Sequence, residues 1–138
     1  MTNRELRQSV RCLINRARAQ RGLDSLTINR SLRRAATGHS RSMVRHRFFS
    51  HGDPGRRLAN AGYFAGADSY FWGENIAAGR GRRGSPSAIF RGWMRSPPHR
   101  ANILSGRFRD IGVGVAHGDP GGGGSNSATY TVDFGVRN

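Results

Sequence analysis

Lysine is missing from this 138-residue chain, and cysteine is nearly so. All 23 basic residues are arginine, against 8 acids, which gives a net charge of +15. With Cys12 as the only cysteine, no intrachain disulfide and no thiolate metal cluster can form. Cys12 stands beside Leu13 in an apolar helical pattern, so we expect it to be a buried small hydrophobe.

Long apolar runs are also missing. No stretch approaches the length of a membrane span, so we expect no transmembrane segment. The first twenty residues show no signal peptide, which leaves two options: an intracellular protein, or one whose signal has been removed. The length is that of one domain, 1–138, with a single core. We expect a monomer.

The arginines favour anionic partners, because such a net charge creates a field that gathers phosphates and carboxylates. They are spread over every segment, and the one dense run, "GRGRRG" at 79–84, has no interleaved aromatic residues. No zinc-finger spacing or RNA-binding signature is present, so sequence-specific nucleic-acid binding is not expected. Genomic codon usage is the alternative reading of the same arginines.

Helical and strand patterns alternate along the chain. Two apolar stripes at helical spacing come first, the second capped by Asn29, and a third helix is predicted to begin at Ser85 and to end at Pro97-Pro98. "YFWGENIAAG" reads as a strand, and "DIGVGVAHG" and "ATYTVDFGV" as a hairpin with a flexible glycine-rich tip. The order of elements predicts one α+β layered domain.

Three residues stand out as candidates for a functional site. His51 and His99 both follow predicted helices in Gly/Pro-rich loops, where a side chain can project into a cleft. Glu74 interrupts an apolar strand, and a carboxylate buried there must be paired or hydrogen-bonded. A structural Glu–His pair and a functional site both remain open. By contrast, His39 lies on an apolar helix stripe and is expected in the core.

Seven segments occur in a recognisable order and spacing: "LINRARAQRGLDSL", "AATGHSRSM", "FFSH", "GENIAAG", "WMRSPPHRANIL", "IGVGVA" and "YTVDFG". Together they resemble the CAP superfamily, the group of cysteine-rich secretory proteins, antigen 5 and pathogenesis-related 1 that is also called the SCP domain. The resemblance implies an α-β-α sandwich with a short antiparallel sheet between helical layers and an open cleft. The cysteine-poor form resembles the bacterial branch, whose usual setting is secreted or associated with the cell wall or envelope.

The resemblance also implies a cleft tetrad of two histidines and two glutamates. His51, Glu74 and His99 match three of its positions, whereas Ser96 stands where the second glutamate would fall. The resemblance also implies that this cleft is similar to a weak zinc site. We therefore expect His51 and His99, with Glu74 as a third candidate, to be able to hold Zn²⁺.

Three functions follow as hypotheses. The first is a secreted binding module whose partner is an anionic surface, a cell-wall polymer, a lipid or a protein. The second is a metal-dependent hydrolase that uses His51, Glu74 and His99. The third is an arginine-rich polyanion-binding protein with a vestigial cleft. We favour the first, with a metal-capable cleft.

Overall fold

The computed structural model describes residues 1–138 as five α-helices, a short 3₁₀ helix at Gly81–Gly84 and a four-stranded sheet. The helices are α1 Asn3–Ala19, α2 Arg30–Arg45, α3 Pro54–Asn60, α4 Pro86–Met94 and α5 Pro97–Ile103. The strands are β1 Thr27–Ile28, β2 Tyr70–Arg80, β3 Asp110–His117 and β4 Ser127–Arg137. None of the helices is long and apolar enough to cross a membrane. The α+β fold class is confirmed.

Helix α1 begins at a capping box, in which Thr2 and Glu5 each accept a hydrogen bond from the other's backbone N–H at 3.1 and 3.0 Å. The predicted apolar stripe is buried except for Leu13, which is only partly buried. The prediction for Cys12 was wrong, because its side chain is exposed. Cys12 lies two residues from both Val10 and Ile14, and two residues turn an α-helix by about 200°, which places it on the solvent face.

Helix α2 begins after Asn29, whose side chain accepts the Leu32 N–H at 3.0 Å as predicted. His39 is buried on this helix, and its Nε2 lies 2.8 Å from the carbonyl oxygen of Ser50. The core-facing interpretation of His39 is therefore confirmed. Burial, followed by repulsion from Arg57, lowers the pKa of His39.

The sheet has the strand order β1-β3-β4-β2. Strands β3 and β4 form the predicted antiparallel hairpin, and β2 runs antiparallel to β4 at one edge. At the other edge, two-residue β1 runs parallel to β3; no sequence signal predicted this strand. The glycine-rich tip of the hairpin was predicted to be flexible, but hydrogen bonds constrain it. Asp119 accepts the Gly123 N–H at 3.1 Å and the Arg80 Nε–H at 2.6 Å.

Helices cover both faces of the sheet, which confirms the α-β-α sandwich. Helices α1, α4 and α5 share one apolar cluster with β3 and β4, and α2 and α3 share a smaller one on the opposite face. The close approach of α2 requires glycine at two positions of β3. A Cβ at Gly112 or Gly114 would lie 2.2 Å from the backbone of Leu32 or Ala36.

The proline pair has a different role from the one predicted. Helix α4 already ends at Met94, and Pro97 and Pro98 occupy the first turn of a separate helix, α5. Proline is well tolerated there, because the first helical N–H groups have no intrahelical acceptor. His99 is therefore a helical residue in the first turn of α5 and not a loop residue.

Candidate functional site

An open cleft of about 540 Å³ lies along edge strand β2. His51 comes to it from the loop before α3, and His99 comes from α5 on the other side of the sheet. The remaining lining is mostly apolar: Phe49, Ser50, Ile76, Ala77, Ala78, Ala88, Ile89, Gly92, Trp93 and Ser96. The structure thus brings the two histidines predicted from the sequence into one cleft, together with Ser96.

Glu74 supports His51 from behind the cleft. Its side chain is 1% exposed, and its Oε1 lies 2.7 Å from Nδ1 of His51, whose own side chain is 48% exposed. The expectation that a carboxylate in this strand must be paired is confirmed. Glu74 does not line the cleft itself, so it acts on the site through the imidazole that it orients.

Arg57 makes two hydrogen bonds to Glu74, a pairing that no pattern in the sequence predicted. Its guanidinium grips both carboxylate oxygens, with Nη1 donating to Oε2 at 2.8 Å and Nη2 donating to Oε1 at 3.0 Å. The same Nη2 donates to the His51 carbonyl oxygen at 2.6 Å. A bidentate, charge-assisted arrangement of this kind fixes both the carboxylate and the loop that carries His51.

Asp133 places a second carboxyl group beside Glu74. The two residues are direct partners in the β2–β4 pairing, and the Asp133 side chain is fully buried. No N–H or O–H group of another residue donates to either of its oxygens, and Arg57 Nη1 is 4.0 Å away. Two adjacent buried carboxylates repel each other unless one holds a proton.

The pKa values of the two carboxyl groups shift in opposite directions. Burial, followed by its hydrogen bond to Glu74 and the charge there, raises the pKa of Asp133 well above the ordinary value. For Glu74, burial acts to raise the pKa, but hydrogen bonds from Asp133, Arg57 and His51 outweigh it, so the pKa is lowered. Of the two carboxyl groups, Asp133 therefore holds a proton more readily than Glu74. Its signal in the sequence was a lone acid inside the apolar run "YTVDFGV".

His99 is held by neutral groups instead of charges. Its Nδ1 lies 2.8 Å from the Ser96 hydroxyl, and its carbonyl oxygen accepts from Asn75 Nδ2 at 3.1 Å. Asn102 then bonds to Asn75 at 2.9 Å, which links α5 to β2. Burial, followed by repulsion from His51, lowers the pKa of His99.

The two histidines share one chemical feature. Each uses Nδ1 for a contact within the protein, with Glu74 for His51 and with Ser96 for His99. That leaves Nε2 of each ring as the nitrogen available to the cleft. No three His, Cys, Asp or Glu side chains come together as a ready-made metal cluster, and both oxygens of Glu74 already accept from Arg57.

These observations define a class of protein: an α-β-α sandwich with an open, histidine-lined cleft at one sheet edge. A model of the cysteine-rich secretory protein family, CAP, matches residues 12–134. The chain belongs to the CAP family.

Bacterial proteins are among its relatives. The chain is 36% identical over 104 residues to the Bacillus subtilis protein YkwD, a match that covers 74% of the chain and 39% of YkwD. An extracellular Bacillus anthracis protein with an SCP domain superposes with a TM-score of 0.79 at 30% identity, over 99% of the chain and 41% of that protein. The chain thus spans less than half the length of either.

An outer surface protein of Borrelia burgdorferi shares the fold. It superposes with a TM-score of 0.82 at 19% identity, over 100% of the chain and 97% of that protein.

Proposed function

We propose that this chain is an extracellular CAP-domain binding module whose cleft engages its ligand through His51 and His99, with a weakly held divalent metal between ligand and protein. The observation that carries the proposal is that both rings line one cleft with Nδ1 engaged elsewhere. The apolar floor, which includes Ile76 and Trp93, would take an apolar part of the same ligand.

The donor set fits a metal held by two imidazoles. Metal-binding histidines usually donate their other ring N–H to a carboxylate or another acceptor, as His51 can to Glu74. On this proposal Glu74 orients His51 and does not itself bind the metal, because Arg57 occupies its oxygens. Stable zinc sites have three or four protein ligands, so we expect weak binding. A bound Zn²⁺ would supply a Lewis acid that attracts an oxygen atom of the ligand.

One observation supports an extracellular location, and another supports a binding function over a catalytic one. The Bacillus anthracis relative at 30% identity is an extracellular protein. Among the residues that line the cleft there is no carboxylate, and its acid–base groups are the two imidazoles of His51 and His99. The net charge of +15 would favour anionic surfaces such as cell-wall polymers or lipids.

Calorimetric titration with Zn²⁺ near pH 7.5 tests the proposal. Wild type should bind one ion saturably, and His51→Ala and His99→Ala should each abolish that binding. The double variant His46→Ala/His117→Ala is the matched control, because it removes two exposed imidazoles outside the cleft.

The control variant should bind like wild type. Binding that survives both cleft substitutions, or that disappears in the control, would contradict the two-histidine site. Hydrolytic activity that is lost in His99→Ala with the fold retained would instead favour the metal-dependent hydrolase.

A further inference from the structure

A second cavity, of about 170 Å³, lies at the β1 edge of the sheet, away from the cleft at β2. Four of its eight lining residues are arginines, and none is acidic. Its floor is apolar. The arginines are Arg4, Arg7, Arg11 and Arg33, the apolar residues are Ile28, Ile111 and Val113, and Gln8 completes the lining. It shares no residue with the cleft.

Three of these arginines occupy one face of α1, because Arg4, Arg7 and Arg11 follow the i, i+3, i+7 spacing. Arg33 comes from the first turn of α2 and faces them. Along the sequence, the arginines are spread over every segment. The fold gathers four of them around one cavity.

These charges have no partner within the protein. The guanidiniums of Arg4, Arg7, Arg11 and Arg33 make no ion pair, whereas Arg57 and Arg80 do. The one acid on α1, Glu5, accepts from the Thr2 backbone. Burial, followed by repulsion from Arg33 and two other arginines, lowers the pKa of Arg7.

We propose that this cavity, the arginine pocket, is a binding site for a phosphoryl group, either on a soluble phosphate compound or on a lipid headgroup. Planar guanidiniums match phosphate oxygens in bidentate pairs. The apolar floor of Ile28, Ile111 and Val113 strengthens such pairs by excluding water on one side. The volume suits one compact anionic group, with Ile28, 47% exposed, available to an attached apolar segment. This site goes beyond the proposed function of the cleft and does not depend on it.

The test uses the double variant Arg7→Gln/Arg33→Gln. The matched control, Arg82→Gln/Arg83→Gln, also removes two positive charges, from exposed arginines in the turn before α4. Each protein is titrated with inorganic phosphate at 150 mM NaCl by NMR, with the arginine Nε–H signals observed. In a second arm, vesicles of phosphatidylglycerol are compared with vesicles of phosphatidylcholine.

We expect saturable binding of phosphate, or of the phosphatidylglycerol vesicles alone, that weakens at least about tenfold in the pocket variant, because charge-assisted hydrogen bonds are lost. The control should stay within about twofold of wild type, since it alters only the general field. Response to phosphate identifies a soluble source, and response to vesicles only identifies a headgroup. Equal weakening in both variants, or no saturable binding in either arm, would overturn the proposal. Thermal melting of both variants checks that the fold is kept.

Discussion

Replacing Asp133 by asparagine tests whether the buried carboxyl pair behind the cleft holds a proton. Asparagine keeps the size of the side chain and a donor toward Glu74, but it cannot ionise. In the wild type, the Asp133 carboxyl of the unfolded chain loses its proton near pH 4, whereas in the folded protein it loses the proton at a higher pH, since burial and Glu74 raise its pKa. The unfolded state therefore binds fewer protons, and this group makes stability fall as pH rises.

The magnitude follows from linkage. One proton held only in the folded state lowers the free energy of unfolding by about 1.4 kcal/mol per pH unit. The Asp133→Asn variant has no such carboxyl, so this decrease with pH is absent. The free energy of unfolding of the variant minus that of wild type should therefore rise by up to about 2.7 kcal/mol between pH 5 and pH 7. Contributions from other titrating groups, such as His39 and His99, cancel in the difference.

Urea unfolding of both proteins at pH 5, 6 and 7 measures this difference. Asp24→Asn, which removes an exposed carboxyl, controls for the loss of one negative charge from a basic protein. A difference between Asp133→Asn and wild type that does not change with pH would refute the reasoning. It would mean that Asp133 is ionised in the folded protein.

Three further predictions concern stability and titration. Arg57→Gln should lower the free energy of unfolding by about 3 kcal/mol, which is the lower end of the range for breaking a buried ion pair, because the Arg57 side chain is 21% exposed. Chemical denaturation measures this loss, and the control Arg56→Gln should stay within about 0.5 kcal/mol of wild type. Equal effects of the two substitutions would contradict the pairing of Arg57 with Glu74. Trp93→Ala should lower the free energy of unfolding by about 3–5 kcal/mol, because it leaves a cavity in the core and removes the hydrogen bond that Nε1 donates to the Ile76 carbonyl oxygen at 3.2 Å. An unchanged melting temperature would contradict the burial of Trp93 in the core. His51→Gln should raise the pKa of His99 in an NMR titration, because the substitution removes the repulsion from His51 and leaves His99 equally buried. An unchanged or lower pKa of His99 would mean that His51 does not repel it.

Much of the fold was predictable because its signals are local. The caps at Asn29 and Ser85 and the alternation in β3 and β4 each depend on residues within one element. The segments that were missed have weak local signals: β1 has two residues, and α5 begins at a proline pair that also reads as a helix end. Both are stabilised by contacts with elements distant in sequence, as when Asn75 of β2 donates to a carbonyl oxygen of α5.

The site was predictable only in part, for a similar reason. Glu74 stands out because it interrupts an apolar strand, and His51 and His99 stand out because each follows a predicted helix in Gly/Pro-rich sequence. Arg57 does not, since it is one of 23 arginines and only the fold brings it to Glu74. Asp133 depends on the register of β2 against β4, which no local pattern fixes. The arginine pocket could not be predicted either, because its residues come from elements that only the fold brings together.

The most direct test of the cleft is to observe the histidine ring nitrogens by ¹⁵N NMR during addition of Zn²⁺. The proposed site predicts that the Nε2 signals of both His51 and His99 move together to one end point, while Nδ1 of His51 keeps its proton on the Glu74 side. The rings of His46 and His117 should not change at the same zinc concentrations. Shifts confined to His46 and His117, or no response from either cleft ring, would contradict the account of the cleft as a two-histidine binding site.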